Sequence, residues 1–187
     1  MAGSIRHCVS NITRFSGRDT RSQFWPYVAL IIVLDMAAST LVMVPVMGMM
    51  IVRSQAYVRE HPDGFPATGS EPGSFPPGLM PDFKLFGLAS AIIGLACVLA
   101  LAAAVSRRLH DRGRTAYWGL LPLPFLAFGM VAMGSMFATF PAQPDMRLFG
   151  VLMFNNLAYM AALILLIVFL ASATMDGPNR FGPDPRA

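Results

Sequence analysis

Charged residues are scarce in this chain of 187 residues, of which Asp, Glu, Lys and Arg together make up 13%. An average soluble domain is about one quarter charged. Hydrophobic residues make up 55% of the chain, so its polar groups are too few to cover the surface of a soluble globule. The composition therefore predicts an integral membrane protein.

Cysteine is also rare, with Cys8 in a polar N-terminal stretch and Cys97 deep in an apolar run. Two cysteines so placed predict neither a disulfide nor a Cys-based metal site. The sequence also lacks the His-Glu-x-x-His motif of zinc proteases. We therefore expect no metal and no other cofactor.

Four long apolar runs remain. A spanning helix needs roughly 20 apolar residues for a hydrocarbon core about 30 Å thick, and residues 25–52, 85–106, 117–138 and 149–174 reach that length. The first run follows four arginines and is too long for a secretory signal, so we expect it to stay in the membrane. The predicted fold class is an all-α membrane protein, a single membrane domain with a bundle of four transmembrane helices.

The segments outside these runs carry patterns of their own. Residues 53–84 contain six prolines and four glycines, which predict an irregular outer loop. The tail, residues 175–187, is also rich in turn formers. Near the N-terminus, apolar residues at three- and four-residue spacing predict a short cytoplasmic amphipathic helix on the inner leaflet, ended by Gly17, with a frayed terminus as the alternative. They are Ile5, Cys8, Val9, Ile12 and Phe15.

The basic residues are distributed unequally between the two sides of the predicted bundle. Ten of the 14 Lys and Arg residues lie in the N-terminal segment, the connection between the second and third spans, and the tail. Because Lys and Arg accumulate on the cytoplasmic side, both termini are predicted to be cytoplasmic in a bacterial inner membrane. This placement accounts for the net charge of +4 without a nucleic-acid partner.

The most polar stretch between two apolar runs is RRLHDRGRTAYW, residues 107–118. It predicts a helical hairpin, in which Gly113 adopts the left-handed conformation after the second span and Thr115 caps the third. The His110–Asp111 pair suggests a general base, but neighbours in sequence do not face one another on a helix. No motif marks a nucleophile. We therefore predict no catalytic residues and a protein that is not an enzyme.

Three stretches together resemble the signatures of one bacterial inner-membrane family. They are FSGRDTRSQFW (residues 15–25), RRLHDRGRTAYW and GPNRFGPDP (residues 177–185). In this order they resemble domain of unknown function 805, the YhaH-like family. The chain departs from the family pattern in its long outer loop, in Thr-Ala-Tyr-Trp where Ser-Gly-Trp-Trp is usual, and in Met-Asp before the last signature. The resemblance implies a small bundle of transmembrane helices, and it implies no established activity.

All three signatures fall on the predicted cytoplasmic side. We expect the tail to fold back across the helix ends, anchored by Phe181, with Asp111 and either Asp19 or Asp184 pairing with arginines of other segments. Two interpretations stay open: a clasp, meaning an ion-paired lock on the helix ends, and a pocket for an anionic head group or phosphate. The candidate residues are Arg18, Arg21, Arg107, Arg108, His110, Asp111, Arg114, Asn179 and Arg180.

Asp35 is the carboxylate inside an apolar run, and an intramembrane ionisable residue is a functional candidate by default. We expect it to be protonated and hydrogen-bonded to a neighbour. In the fourth span, Asn155 and Asn156 predict hydrogen bonds between helices. The leading functional hypothesis is a non-enzymatic scaffold or regulator that engages membrane lipids or a membrane partner, or forms a homo-oligomer. The alternative is a small proton- or cation-coupled transporter or channel that uses Asp35.

Overall fold

The computed structural model describes residues 2–62, 83–139 and 146–186. These residues form α1 (Ala2–Ser10), α2 (Arg21–Glu60), α3 (Phe83–Asp111), a 3₁₀ helix (Ala116–Leu120), α4 (Leu123–Thr139) and α5 (Met146–Ala171). The described segments contain no β-strand; a single isolated bridge joins Asn179 and Gly182. The predicted all-α class is confirmed.

Four helical segments are long and apolar enough to cross a membrane: Arg21–Glu60, Leu85–Asp111, Ala116–Ser135 and Met146–Ala171. They match the four predicted spans and give the chain the helices of a multi-pass membrane protein. The N-terminal helix α1 is present but ends at Ser10, so Ile12 and Phe15 lie beyond it. Its placement on a membrane surface stays a prediction.

The first long helix extends beyond the predicted span. The irregular loop was expected to begin at Arg53, but α2 continues to Glu60, and His61 still donates its backbone N–H to Tyr57 O at 3.0 Å. The reason is that a polar residue ends an apolar run without interrupting backbone hydrogen bonds, whereas Pro62 disfavours helical geometry at the residue before it. The rest of the predicted loop, residues 63–82, lies outside the described residues.

The third span is not one continuous α-helix. Its first turn is the 3₁₀ helix Ala116–Leu120, and α4 begins only at Leu123. Pro122 and Pro124 explain this break, because proline has no backbone N–H to donate to the preceding turn. Gly119 lets the 3₁₀ helix lie close to α3, since a Cβ at this position would stand 3.0 Å from Val105 Cγ1.

The hairpin between α3 and the 3₁₀ helix has the predicted form. Gly113 has φ of +68°, and its N–H donates to His110 O at 2.9 Å. Arg114 N donates to Leu109 O at 3.0 Å, which completes the Schellman motif of a helix C-terminus. Thr115 occupies the expected cap position, although its side chain makes no capping hydrogen bond.

Side-chain packing is concentrated at the end of the bundle that carries both termini. Most of the buried apolar residues described form one cluster there: Cys8, Phe24, Tyr27, Ala104, Leu109, Leu166 and Leu170. We call this end, comprising residues 2–27, 104–118 and 166–186, the polar end, because it also contains the buried charges. Elsewhere the long helices expose apolar side chains, as expected for surfaces that face lipid.

Along their apolar length, the membrane helices described are linked in pairs by two hydrogen bonds. Tyr27 Oη donates to Ala100 O at 2.9 Å and joins α2 to α3. Asn155 Nδ2 donates to Phe125 O at 3.0 Å and joins α5 to α4, which confirms the predicted interhelical bond for this residue. The neighbouring Asn156 is exposed and does not take part.

Candidate functional site

Asp111 lies between two arginines at the end of α3. One of its carboxylate oxygens accepts a hydrogen bond from Arg18 Nε at 3.1 Å, and the other accepts from Arg108 Nη1. Asp111 and Arg108 are both fully buried. Arg108 precedes Asp111 by three residues, a spacing that places both side chains on one face of the helix. Arg18 reaches this face from the turn at Gly17, where φ is +102°.

Asp19 forms the second buried ion pair. Arg107 Nε donates to Asp19 Oδ2 at 2.8 Å, and His7 Nε2 lies 3.2 Å from the other oxygen. Arg107 Nη1 also donates to Asn11 O at 2.7 Å and to Arg14 O at 2.5 Å. This arginine therefore fastens the segment after α1 to the end of α3.

These two pairs make up what we call the arginine cluster, which consists of Arg18, Arg107, Arg108, Asp19 and Asp111. Every member is buried. Charged groups are rarely buried unless they are paired, because their loss of hydration costs several kcal/mol each. With three guanidinium groups against two carboxylates, the cluster keeps a surplus of positive charge.

Arginines also donate hydrogen bonds to carbonyl groups at the C-terminal end of α5. Arg108 Nε donates to Leu170 O at 2.9 Å and its Nη2 donates to Ser172 O. Arg112 Nη1 donates to Ala173 O. The last carbonyl groups of a helix have no partner within it and form the negative end of its dipole. The end of α3 therefore caps the end of α5 with charged donors.

Two further arginines hold the starts of α2 and of the third span to the C-terminal end of α5. Arg21 Nη1 donates to Ala171 O at 3.4 Å. The Arg114 guanidinium lies 3.7 Å from the ring centroid of Phe169 and 5.4 Å from that of Trp118. Such cation–π contacts stabilise by about 0.5–1 kcal/mol at exposed sites. The ends of four membrane segments thus meet around α5.

The tail folds back over Arg18. Its guanidinium donates to Met175 O and to Gly177 O, each at 2.8 Å. The Gly177 N–H in turn donates to Asp184 Oδ2 at 3.0 Å. Asp184 pairs with Arg186 of its own segment and not with an arginine of the cluster, and hydrogen bonds from Arg186 hold the pKa of Asp184 well below its usual range.

The last signature contacts the hairpin directly. Asn179 Nδ2 donates to His110 O at 3.0 Å, and Arg180 Nη2 donates to Gly113 O at 3.1 Å. The ring of Phe181 stacks on the ring of His110, with centroids 4.0 Å apart and planes 8° from parallel. The structure therefore shows the tail anchored through Phe181, as predicted.

The His110–Asp111 pair does not have the geometry of a general base. Both oxygens of Asp111 accept from arginines, and no hydrogen bond joins the two side chains within the described residues. His110 Nδ1 and Arg107 Nη2 are the buried side-chain nitrogens that lack a partner there. These two atoms, one in the arginine cluster and one on the adjacent His110, are where an added polar group would gain a hydrogen bond. In the described part of the chain, no group of three or more His, Cys, Asp or Glu could hold a metal ion.

Asp35 lies apart from this cluster. It is half-buried in α2, about 21 Å along the helix from Arg21 at 1.5 Å per residue. The Cys97 side chain of α3 lies close enough to interact with it electrostatically. The hydrogen bond expected between Asp35 and a neighbour is not found among the residues described.

Several polar contacts of the cluster were not foreseen from the sequence. His7 was not proposed as a partner, and Asp19 was one of two alternatives for an ion pair. Ser106 Oγ, which donates to Phe15 O at 3.1 Å, was missed because no pattern distinguishes it from other helix serines. Asp19 and Asp184 were expected as equal alternatives, and the position of Asp19 between two arginines of the first signature is the signal that distinguishes it.

Replacing Asp111 with Asn removes the carboxylate that Arg18 and Arg108 share. Because removing one partner of a buried pair leaves a charge uncompensated, we expect the free energy of unfolding to fall by about 3–5 kcal/mol. Asp176→Asn is the matched control, since the Asp176 side chain is 93% exposed and pairs only with Arg186. Unfolding of both purified variants in detergent measures the difference, and equal stability of the two would contradict the buried pairing.

Comparison with known families identifies one match. A family model described as "Protein of unknown function (DUF805)" matches residues 12–183, a range that includes the first two signature stretches and residues 177–183 of the third. No curated protein and no solved structure matches the chain. The chain therefore belongs to DUF805, a family of proteins of unknown function.

Proposed function

We propose that this protein is a non-enzymatic scaffold or regulator of the bacterial inner membrane, which engages anionic lipid head groups through exposed arginines at its polar end. One observation carries the proposal. Four of the exposed arginines of this end pair with no carboxylate of the described residues; they are Arg6, Arg14, Arg21 and Arg180.

The buried arginines of the cluster pair with aspartates, whereas these four exposed ones do not, although Arg21 and Arg180 donate to backbone carbonyls. Those of the arginine cluster donate to aspartates and backbone carbonyls of the protein itself, as the clasp interpretation requires. The exposed ones keep donors that can bind phosphate in a bidentate manner. The surplus charge of the buried cluster adds to the attraction of anions. In this proposal the clasp supports a surface that binds head groups, and Arg21 and Arg180 contribute to both.

Aromatic residues support the position of this surface at a lipid–water boundary. Tyr117 is 78% exposed and Trp118 39% exposed at the start of the third span, and Trp25 is 36% exposed at the start of the first. Tyr and Trp are enriched where a membrane helix passes through the head groups. Head groups at this level would lie beside the exposed arginines.

The proposal places both termini in the cytoplasm, where the excess of Lys and Arg belongs. In a background with Cys8 and Cys97 replaced by Ser, we expect a Ser10→Cys variant to react with a membrane-impermeant thiol reagent only after spheroplasts are permeabilised. Gln55→Cys is the matched control, because Gln55 is equally exposed at the opposite end of α2 and should react in intact spheroplasts. The reverse labelling pattern would overturn the orientation.

The lipid hypothesis is tested by replacing the four exposed arginines with Gln, separately and together. At about 1 kcal/mol per basic residue near an anionic surface, each replacement should weaken the binding of anionic lipid by roughly fivefold. Mass spectrometry of the protein purified with its lipids measures the phosphatidylglycerol and cardiolipin retained. Arg59→Gln at the opposite end is the control. Unchanged retention by the fourfold variant would exclude these arginines as the lipid site.

A second candidate function uses Asp35. A half-buried carboxylate in a membrane helix, with no hydrogen bond or ion pair among the described residues, is an arrangement that suits the transient binding of a proton or cation. If the protein is a small coupled transporter or channel, Asp35→Asn should abolish proton or cation flux into proteoliposomes. Flux that is absent from the unmodified protein, or equal in both, would remove this candidate.

A further inference from the structure

The second asparagine of α5 has a different environment from the first. Asn155 donates to Phe125 O of α4 at 3.0 Å, whereas Asn156 is exposed and has no hydrogen-bond partner among the described residues. At 1.5 Å per residue, Asn156 lies about 15 Å from the start of α5 at Met146 and about 22 Å from its end at Ala171. Asn156 is therefore an exposed residue in the interior of a helix long enough to cross a membrane, where we expect hydrocarbon around it.

We propose that two copies of this chain associate through α5, with Asn156 of each copy hydrogen-bonded to Asn156 of the other. The argument rests on the chemistry of the unpartnered group. A polar group in hydrocarbon without a hydrogen bond costs up to several kcal/mol, and lipid chains offer neither donors nor acceptors. A partner helix in the membrane therefore has to supply the hydrogen-bond donor and the acceptor.

A second copy of the chain is the occupant that this group fits best. A carboxamide has one acceptor oxygen and a donor NH₂ group, so two of them related by a twofold axis can each donate to the other. Twofold interfaces bring the same residue of both copies together, and they are the commonest kind in homo-oligomers. The amide of one copy is thus complementary to the amide of the other, and a second protein is not needed to satisfy it.

The surface around Asn156 has the spacing of a helix–helix seam. When Asn156 is counted with them, exposed apolar residues recur every three or four positions of α5, a spacing that places all of them on one face of the helix. They are Phe149, Met153, Met160, Ile164 and Ile167. A single polar residue within such a seam specifies register and the number of helices, and interhelical amides stabilise association in membranes.

This inference goes beyond the proposed function and does not depend on it, because α5 is exposed here far from the arginines of the polar end. The experiment uses the full-length protein in lipid bilayers. Energy transfer between differently labelled copies, followed as the lipid-to-protein ratio rises, gives the dissociation constant. We expect Asn156→Leu to weaken association roughly tenfold or more, since two hydrogen bonds are lost.

Conservative and positional variants distinguish the proposal from a general effect on folding. Asn156→Gln keeps a self-complementary amide and should retain association within about a few fold of the unmodified protein. In a background with Cys8 and Cys97 replaced by Ser, Asn156→Cys should form a disulfide between copies. Phe154→Cys is the control, because Phe154 is 75% exposed and lies on nearly the opposite side of α5.

The results of these experiments either support the proposed association or overturn it. Association that requires an amide at position 156, together with cross-linking there and not at position 154, supports the proposal. A protein that stays monomeric at high density in the bilayer overturns it, as does an Asn156→Leu variant that associates like the unmodified chain. If Asn156→Leu does not accumulate in the membrane, the cross-linking comparison decides, and equal or absent cross-linking at both positions overturns the proposal.

Discussion

The pairing of the Asp111 carboxylate with two arginines is the interaction on which the rest of this structure depends. One carboxylate, fully buried, accepts from Arg18 and Arg108 of different segments. Two guanidinium groups taken out of water need acceptors for their remaining donors as well. Those acceptors are the carbonyl groups at the end of α5 and in the tail. The need to satisfy two buried cations thus determines where α5 ends and how the tail folds.

This explains how a chain with so few charges positions its membrane helices. Within a bilayer, apolar side chains gain little by leaving lipid for a neighbouring helix, so specific polar contacts and close packing decide the arrangement. The described helices have few such contacts along their length, apart from Tyr27 with Ala100 and Asn155 with Phe125. The polar end has many. The bundle is therefore organised from one end, and the apolar surfaces beyond it remain open to lipid or to another copy.

The arginines of this end divide by environment into two roles. Arg107 and Arg108 are buried and, apart from Arg107 Nη2, donate to groups of the protein itself, so their contribution is to hold segments together. Arg6 and Arg14 are exposed, carry the same charge and have no acidic partner in the described residues, so their charge acts on the surroundings. The rule that Lys and Arg accumulate on the cytoplasmic side counts both groups together. The two groups nevertheless differ in what they can bind, because the buried arginines bind the protein itself and the exposed ones can bind anionic lipid.

The sequence by itself determined the class of protein, the four spans, the Gly113 hairpin and the set of segments that meet at the polar end. Hydrophobic length, the left-handed preference of glycine and the distribution of basic residues are local properties, readable without a fold. Only the tertiary structure decided that Asp111 serves two arginines, and that Asn155 is bonded while Asn156 is not. The physical reason is that the acceptors are mostly backbone carbonyls, which every residue possesses. Which of them lie within reach of a guanidinium depends on how the helix ends meet, and no local pattern in the sequence encodes that.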